Sequence, residues 1–518
     1  MLFYTFLILL QLNIIHSYCP TNSLCQLNDN STILTCNTML NDTSLLPEIS
    51  CFPSVNTYIF YNFQQLPSHL FSNIKFLQNQ SYTIKLINTS IINSDTFSNS
   101  IQLPENSKLS IIIGHLNISS NILIQSNAFN NINIDYLHFL NLNNTIFDTN
   151  CFGHNLNINT LIFEQCNLTS FSNHIRKLIN VNHLLIKNSP ELKQLTQENL
   201  PSFLPTLTSF ELSNTALQII QPHTFQAWSL ILEEFIITNN TNLEIFPSDI
   251  VDGVLMKLNK LDLSYNPIKY LHSNYNWFPY SYTKNLLLKN QQLDLFLKSN
   301  ILKTLPYLEN IDLSHGFISE NLIKNYFPNM SNLVSIDVSY TNLTEKMIID
   351  LLTHLSQTTN HFIDIYLRGH ILNDENFCSY FKIFQNAPNL LNLILDNSHE
   401  CNCIIELFYR DKLQDINNNS LLMHPTCLLD SSRNRCDIQT QLTLSKCPTN
   451  SYTNSDDTIG DYAFGGVIAG VIVALLLILS LGFGVAHRIR QRRNTDLTME
   501  KPVENPLAAI IEERLQNV

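Results

Sequence analysis

One pattern recurs along this chain at a nearly constant interval, and it constrains the fold more than any other feature. Residues 258–271, LNKLDLSYNPIKYL, set Leu258, Leu261, Leu263, Asn266, Ile268 and Leu271 in the order L-x-x-L-x-L-x-x-N-x-L-x-x-L. With Leu263 as marker, equivalent positions fall at Phe60, Leu86, Ile113, Phe139, Phe163, Ile186, Leu212, Ile237, Leu288, Leu313, Val338, Leu367 and Leu395, in steps of 23 to 29 residues. The apolar-x-apolar pair at each marker predicts a short strand: alternate residues enter a core, and those between face the opposite, concave surface. One such unit cannot bury its own apolar side, so about fourteen of them must stack into a single elongated body.

The connecting segments carry a second apolar signal. Phe97, Phe129, Phe152 and Phe225 follow their markers by ten to sixteen residues and are expected to fill the convex side of the core. From about residue 314 the segments NLIKNYF, EKMIIDLLTHL and ENFCSYFKIF have apolar residues at helical spacing, which predicts helices on the convex face there. The position occupied by Asn266 is Asn again only at Asn240; elsewhere it holds Thr89, Leu116, Leu142, Cys166, Ser189, Thr215, Gln291, Gly316, Thr341, His370 and Ser398. Ser, Thr and Cys replace part of the bonding that an Asn makes to neighbouring loop backbone, which predicts a thinner ladder. Cys166 is expected to be a small buried residue, and whether it bonds to Cys151 is open.

Over residues 52–400 this pattern resembles the leucine-rich repeat superfamily. The resemblance implies an α/β solenoid shaped as a horseshoe, with short parallel strands on the concave face and an irregular to helical convex face. Residues 18–51, with Cys19, Cys25, Cys36 and Cys51, look like an N-terminal cysteine-rich cap whose pairing stays open. Residues 401–447 resemble the C-terminal cap of extracellular members, in which the family's pairing implies Cys401–Cys427 and Cys403–Cys447. Cys436 is extra to that pattern, and Cys378 is its candidate partner.

Residues 1–17 form an apolar run of signal-peptide length. Residues 463–486 contain no charge and are followed by Arg488, Arg490, Arg492 and Arg493, which predicts one transmembrane helix with its C-terminal side cytoplasmic. A juxtamembrane linker occupies 448–462 and a short tail 487–518. All twelve cysteines precede this span, as do eleven N-x-Ser/Thr sequons at Asn30, Asn41, Asn79, Asn88, Asn117, Asn143, Asn167, Asn239, Asn329, Asn342 and Asn418. Cysteines, sequons, leader and span agree on a single-pass type I glycoprotein of the plasma membrane. Within the span, Gly466, Gly470 and Ala474 make a small-residue face suited to a lateral helix partner or a homodimer. The tail is too short for a kinase or a Toll/interleukin-1 receptor domain, so the resemblance is to a Toll-like receptor ectodomain without its signalling module.

The formal charge of −13 and the scarcity of basic runs argue against nucleic acid as partner. Only five of eleven glycines precede Gly460, and no phosphate-cradling loop is present. No G-x-S-x-G, H-E-x-x-H, EF-hand or C-x-x-C pattern occurs, so no enzymatic activity, metal or cofactor is expected. His399, Glu400, Cys401 and Cys403 could mimic a metal cluster, but cap disulfides explain both thiols.

The sequons are uneven. Asn117, Asn143 and Asn167 each sit four residues after their markers, a row of glycans beside three consecutive turns. The sequon-poor stretch from about 208 to 314 is therefore the expected binding face, with Glu211, Ser213, Thr238, Asp262, Ser264, Lys289, Asp312 and Ser314 pointing outward. The alternative is that the Asp-x-Ser recurrence is only a consensus of solvated strand residues. The expected partner is an extracellular or cell-surface protein, bound in adhesion or as a co-receptor. An auxiliary subunit of a channel or receptor, or an innate-immune co-receptor, are the other readings.

Overall fold

The computed structural model describes residues 25–395, short internal stretches excepted, together with 403–404 and 407–408. The leader, Cys19, Cys51, most of the C-terminal cap, the 463–486 span and the tail lie outside the described residues. The chain divides into two units, 1–447 and 448–518, the second wholly outside them. No described helix is long and apolar enough to cross a membrane.

The described chain forms a solenoid-like stack around one parallel sheet. Its sixteen strands run in chain order: Cys25–Leu27, Ile33–Asn37, Thr57–Tyr61, Ser81–Ile87, Lys108–Gly114, Asn133–Leu140, Asn157–Glu164, Asn180–Lys187, Ser209–Ser213, Glu234–Thr238, Lys260–Asp262, Asn285–Leu287, Asn310–Asp312, Ser335–Asp337, Ile363–Tyr366 and Leu391–Ile394. Only the first pair is antiparallel. Each strand contributes one rung because its alternate apolar residues face the core. In Lys108–Gly114, Leu109, Ile111 and Ile113 are fully buried while Ser110 and Ile112 are half-exposed.

The register follows the sequence period. Phe60 lies opposite Leu86, Leu86 opposite Ile113, Ile113 opposite Phe139 and Phe139 opposite Phe163. All fourteen marker residues are buried, none above 5% exposed. Each such side chain adds about 1.5–3 kcal/mol of hydrophobic stabilisation, an upper bound because unfolded chains are already partly compact.

The return segments close the other side of the core. Phe71, Phe97, Phe129 and Phe152 stack in sequence, with centroids 5.5, 5.2 and 5.8 Å apart. Phe225 stands apart from that column and packs at 4.8 Å on Phe235 and 5.7 Å on Trp228. Phe71 belongs to the same column as Phe97, at the same distance class from its marker. Helices Glu345–Thr358 and Phe377–Asn386 occupy the two C-terminal return segments, as their apolar spacing predicts. The Thr344 side chain accepts the Met347 N–H and caps the first of these. Residues 321–326 lie outside the described residues. Helical structure begins earlier than expected, at Leu293–Lys298 and Ile301–Thr304. Leu293, Phe296, Leu297, Ile301 and Leu302 are all buried there, and their spacing is helical too.

Two local devices repeat around the stack. Two residues after the marker, the backbone turns left-handed at Asn62, Asn88, Asn141, Gln165, Asn188, Asn214, Asn239, Tyr265, Asn290, His315 and Tyr340, with φ between 53° and 60°, and at Gly369 with φ 78°. Asn tolerates this region better than other side chains, which accounts for its frequency at the corner. One residue further on comes the buried ladder. Asn266 donates to the carbonyls of Ile237 and Leu263 and accepts from the Asn240 backbone N–H, while Asn240 accepts from Thr215. Where Asn is missing, substitutes take single rungs: Cys166 Sγ on Phe139 O, Gln291 on Leu263 O, His370 on Val338 O. Leu116 does not enter the ladder. It is exposed, and His115 is buried in its stead, because His115 does not take the left-handed corner and so turns inward one residue early.

Cys25 and Cys36, whose pairing the sequence left open, face each other across the antiparallel pair and form a disulfide, Cα atoms 4.0 Å apart. Cys378 and Cys403 are also disulfide-bonded. The partners expected for them, Cys436 and Cys447, lie outside the described residues, as do Cys401 and Cys427. Cys151 and Cys166 are free and buried, and burial pushes their thiols up to about 12 and about 11.

Candidate ligand-binding surface

One face of the sheet is the core; the other carries the candidate residues. Glu211, Ser213, Thr238, Asp262, Lys289 and Asp312 are half-exposed on five consecutive strands or their ends, so the sequence pattern brings them together on one surface. Ser264 and Ser314 do not point outward: they are buried, 2% and 5% exposed. The reason is the turn that ends each strand. Asp262 Oδ1 accepts the Ser264 N–H at 3.0 Å, Asp312 Oδ1 the Ser314 N–H at 3.1 Å and Asp337 Oδ1 the Ser339 N–H at 2.8 Å. Asp-x-Ser is therefore a strand-ending turn in which the carboxylate caps the backbone and the hydroxyl folds inward.

Charge on this face is paired across neighbouring strands. Lys187 Nζ lies 3.0 Å from Glu211 Oε1, and Lys289 Nζ 2.8 Å from Asp312 Oδ2. The hydrogen bond to Asp312 holds the Lys289 ammonium above its usual range. Nearer the N-terminus, His138 Nε2 lies 3.1 Å from Glu164 Oε2. Burial keeps that imidazole below the usual range, against the pull of Glu164 and with the help of Lys187. The row His138, Glu164, Lys187, Glu211 runs over four strands, and its first three members lie outside the 208–314 stretch. No group of three or more His, Cys, Asp or Glu suited to a metal occurs among the described residues.

Of the sequons, Asn30, Asn79, Asn239, Asn329 and Asn342 are exposed and Asn88 and Asn167 half-exposed; Asn41, Asn117, Asn143 and Asn418 lie outside the described residues or their described side chains. Asn342 brackets Ile318, accepting its N–H and donating to its carbonyl, and Asn88 donates to Asn62 while accepting from the Leu116 N–H. The small-residue face Gly466, Gly470, Ala474 lies outside the described residues.

A second feature escapes the period-based reading. A cleft of about 600 Å³ lies where the strands beginning at Asn133, Asn157 and Asn180 start, bounded on one side by the loop around Glu105. Its sequence signal, a carboxamide or carboxylate on either side of one apolar residue in three successive repeats, is hidden by the general abundance of Asn.

No family model matches the chain, and no curated protein is significantly similar to it.

Proposed function

We propose that this chain is a leucine-rich repeat recognition protein of the cell surface, a curved solenoid anchored by the 463–486 span, that binds a protein ligand through the open face of its sheet. One observation carries the reading: a continuous row of strands buries one face completely and holds polar and charged side chains in fixed register on the other. Such a surface is pre-organised, so a ligand binding to it incurs little ordering entropy. With Ser264 and Ser314 turned inward, the groups available to a ligand between 208 and 314 are Glu211, Ser213, Thr238, Asp262, Lys289 and Asp312. Their ion pairs favour an interface of complementary charge, which governs specificity and association rate more than affinity.

Binding of cell-surface proteins to cells displaying the full chain tests the proposal, with microbial material as contrast. The turns make a sharp variant available. Asp262→Asn and Asp312→Asn each complete an N-x-Ser sequon while keeping an oxygen for the Ser N–H. A glycan at either position should abolish ligand binding, and undiminished binding by the glycosylated variant excludes this face. Gly466-x-x-x-Gly470 favours a second reading, an auxiliary subunit acting through its span. Replacing the span with an unrelated one separates the two: loss of function with ligand binding intact supports the auxiliary role.

A further inference from the structure

Three consecutive strands open with one motif: Asn133-Ile134-Asp135, Asn157-Ile158-Asn159 and Asn180-Val181-Asn182. They are in register, Asn133 opposite Asn157 and Asn157 opposite Asn180. The central Ile134, Ile158 and Val181 are buried in the core, so the residues flanking them stand on the open side in two parallel rows. In the first row Asn157 Nδ2 donates to Asn133 Oδ1 at 2.7 Å and Asn180 Nδ2 to Asn157 Oδ1 at 2.6 Å. In the second, Asn182 Nδ2 donates to Asn159 Oδ1 at 3.1 Å, and Asp135 Oδ2 accepts the Leu109 N–H at 2.8 Å.

These ladders hold the carboxamides in place without exhausting them. An Asn side chain offers two donors and two acceptor lone pairs, and the rungs use half of that capacity at Asn157 and a quarter at the other four. The result is a grid of fixed donor and acceptor pairs, spaced by about 4.8 Å across strands and about 6.6 Å along them. It floors a cleft of about 600 Å³, a volume typical of ligand sites. The half-buried Leu103 and Pro104 form an apolar wall, and Glu105 joins Asp135 in contributing carboxylate oxygens.

The chemistry narrows the ligand. Two carboxylates repel anions. A group that both donates and accepts at every position suits the grid, which is the property of a hydroxyl. An extended peptide crossing the rungs presents like groups only every second residue, about 6.6 Å, out of step with rungs about 4.8 Å apart. We infer that the cleft formed by Asn133, Asp135, Asn157, Asn159, Asn180 and Asn182 binds a neutral oligosaccharide, its hydroxyls on the carboxamide grid and its C–H face against Leu103 and Pro104. This site is separate from the 208–314 surface and does not depend on it.

The test is an array of neutral oligosaccharides, with sulfated and sialylated ones as contrast, probed with the detergent-solubilised full chain. Retention of a neutral oligosaccharide is expected, weakened about tenfold by Asn157→Ala or Asn159→Ala, the effect of one hydrogen bond. Asp312→Asn should leave it unchanged even where it abolishes protein binding. Should Asn157→Ala lower the unfolding midpoint, Glu105→Ala, outside both ladders, carries the same expectation. The inference is overturned if no neutral oligosaccharide is retained, if only anionic ones are, or if the variants bind like the parent.

Discussion

Asn266 completes the hydrogen bonding of Asn240: its Oδ1 accepts the Asn240 backbone N–H at 2.9 Å and the Asn240 Nδ2 at 3.1 Å. Both residues are buried, at 1% and 0% exposed. Asn266 also donates to the carbonyls of Ile237 and Leu263 at 2.7 and 2.6 Å, so one side chain bonds four polar groups of two repeats, of which Leu263 O and Asn240 Nδ2 have second partners in Gln291 and Thr238 O. Asn266→Ala should therefore destabilise the solenoid by about 3 kcal/mol, more than a single hydrogen bond, because it breaks the bonds of the buried Asn240 N–H and the Ile237 carbonyl together. Thr341→Val, which removes one hydroxyl, should cost about 1 kcal/mol. Urea unfolding compares the two, and equal losses would mean that water replaces the lost partners at Asn266.

The phenylalanine column behaves as one packed object. Phe97 lies between Phe71 and Phe129 with nearly parallel rings, at interplanar angles of 7° and 8°. Phe97→Ala should cost about 4 kcal/mol, through lost burial and the cavity left behind. A double-mutant cycle with Phe129→Ala should show coupling of about 1 kcal/mol. Strict additivity of the two losses would show that the column does not act as a unit.

Much of this architecture is legible in the chain, and what is not has three separate causes. A marker every 23 to 29 residues locates strands because burial imposes period two on each rung, and every marker is buried. The helices at Leu293–Thr304 escape the repeat template because it runs through LDLFLKSNILKT, whose own spacing is helical. Strict alternation places Ser264 and Ser314 outward. That alternation stops where Asp262 and Asp312 bend the backbone, an event that depends on side chain to main chain bonding rather than on hydrophobicity. The carboxamide cleft was invisible for a third reason: it exists only once Asn133, Asn157 and Asn180 are side by side, 23 or 24 residues apart in sequence.

Acid should loosen the stack. Burial lowers the pKa of His115 and of His138. A histidine depressed in the folded state is neutral there while the unfolded chain takes up protons near its ordinary pKa of about 6.5. The stability it contributes is complete above that value and is lost as pH falls below it. His115 is 3% exposed, with no partner on either ring nitrogen, so nothing offsets the cost of charging it in the folded state. His115→Leu should flatten the dependence of the urea midpoint on pH through the weakly acidic range, and a slope equal to the parent's would assign the acid sensitivity elsewhere.

Cys151 and Cys166 should be chemically silent in the folded protein. Both are buried, and thiols pushed up to about 12 and about 11 hold almost no thiolate at neutral pH. Iodoacetamide should leave both unmodified in the native chain and alkylate both after unfolding, as read by peptide mass spectrometry. Native-state labelling of either would place it in a segment that opens locally.

The corner at Gly369 supplies a test of how the stack tolerates bulk. At the left-handed position most repeats use Asn, but Tyr265, His315 and Tyr340 occupy it in the C-terminal half, and the His315 and Tyr340 rings stack at 5.0 Å. The next corner is Gly369, with φ 78°, and a Cβ there would meet Tyr340 Cδ1 at 2.5 Å. Glycine is thus required twice, by the backbone angle and by the ring lying over it. Gly369→Ala should cost about 1–2 kcal/mol from the backbone alone, and more while the ring is present. Tyr340→Asn by itself should be neutral or stabilising, since Asn tolerates the angle better. In the Tyr340→Asn background the Gly369→Ala penalty should fall toward its backbone part. An unchanged penalty would show that the tyrosine swings away freely and that φ alone demands glycine.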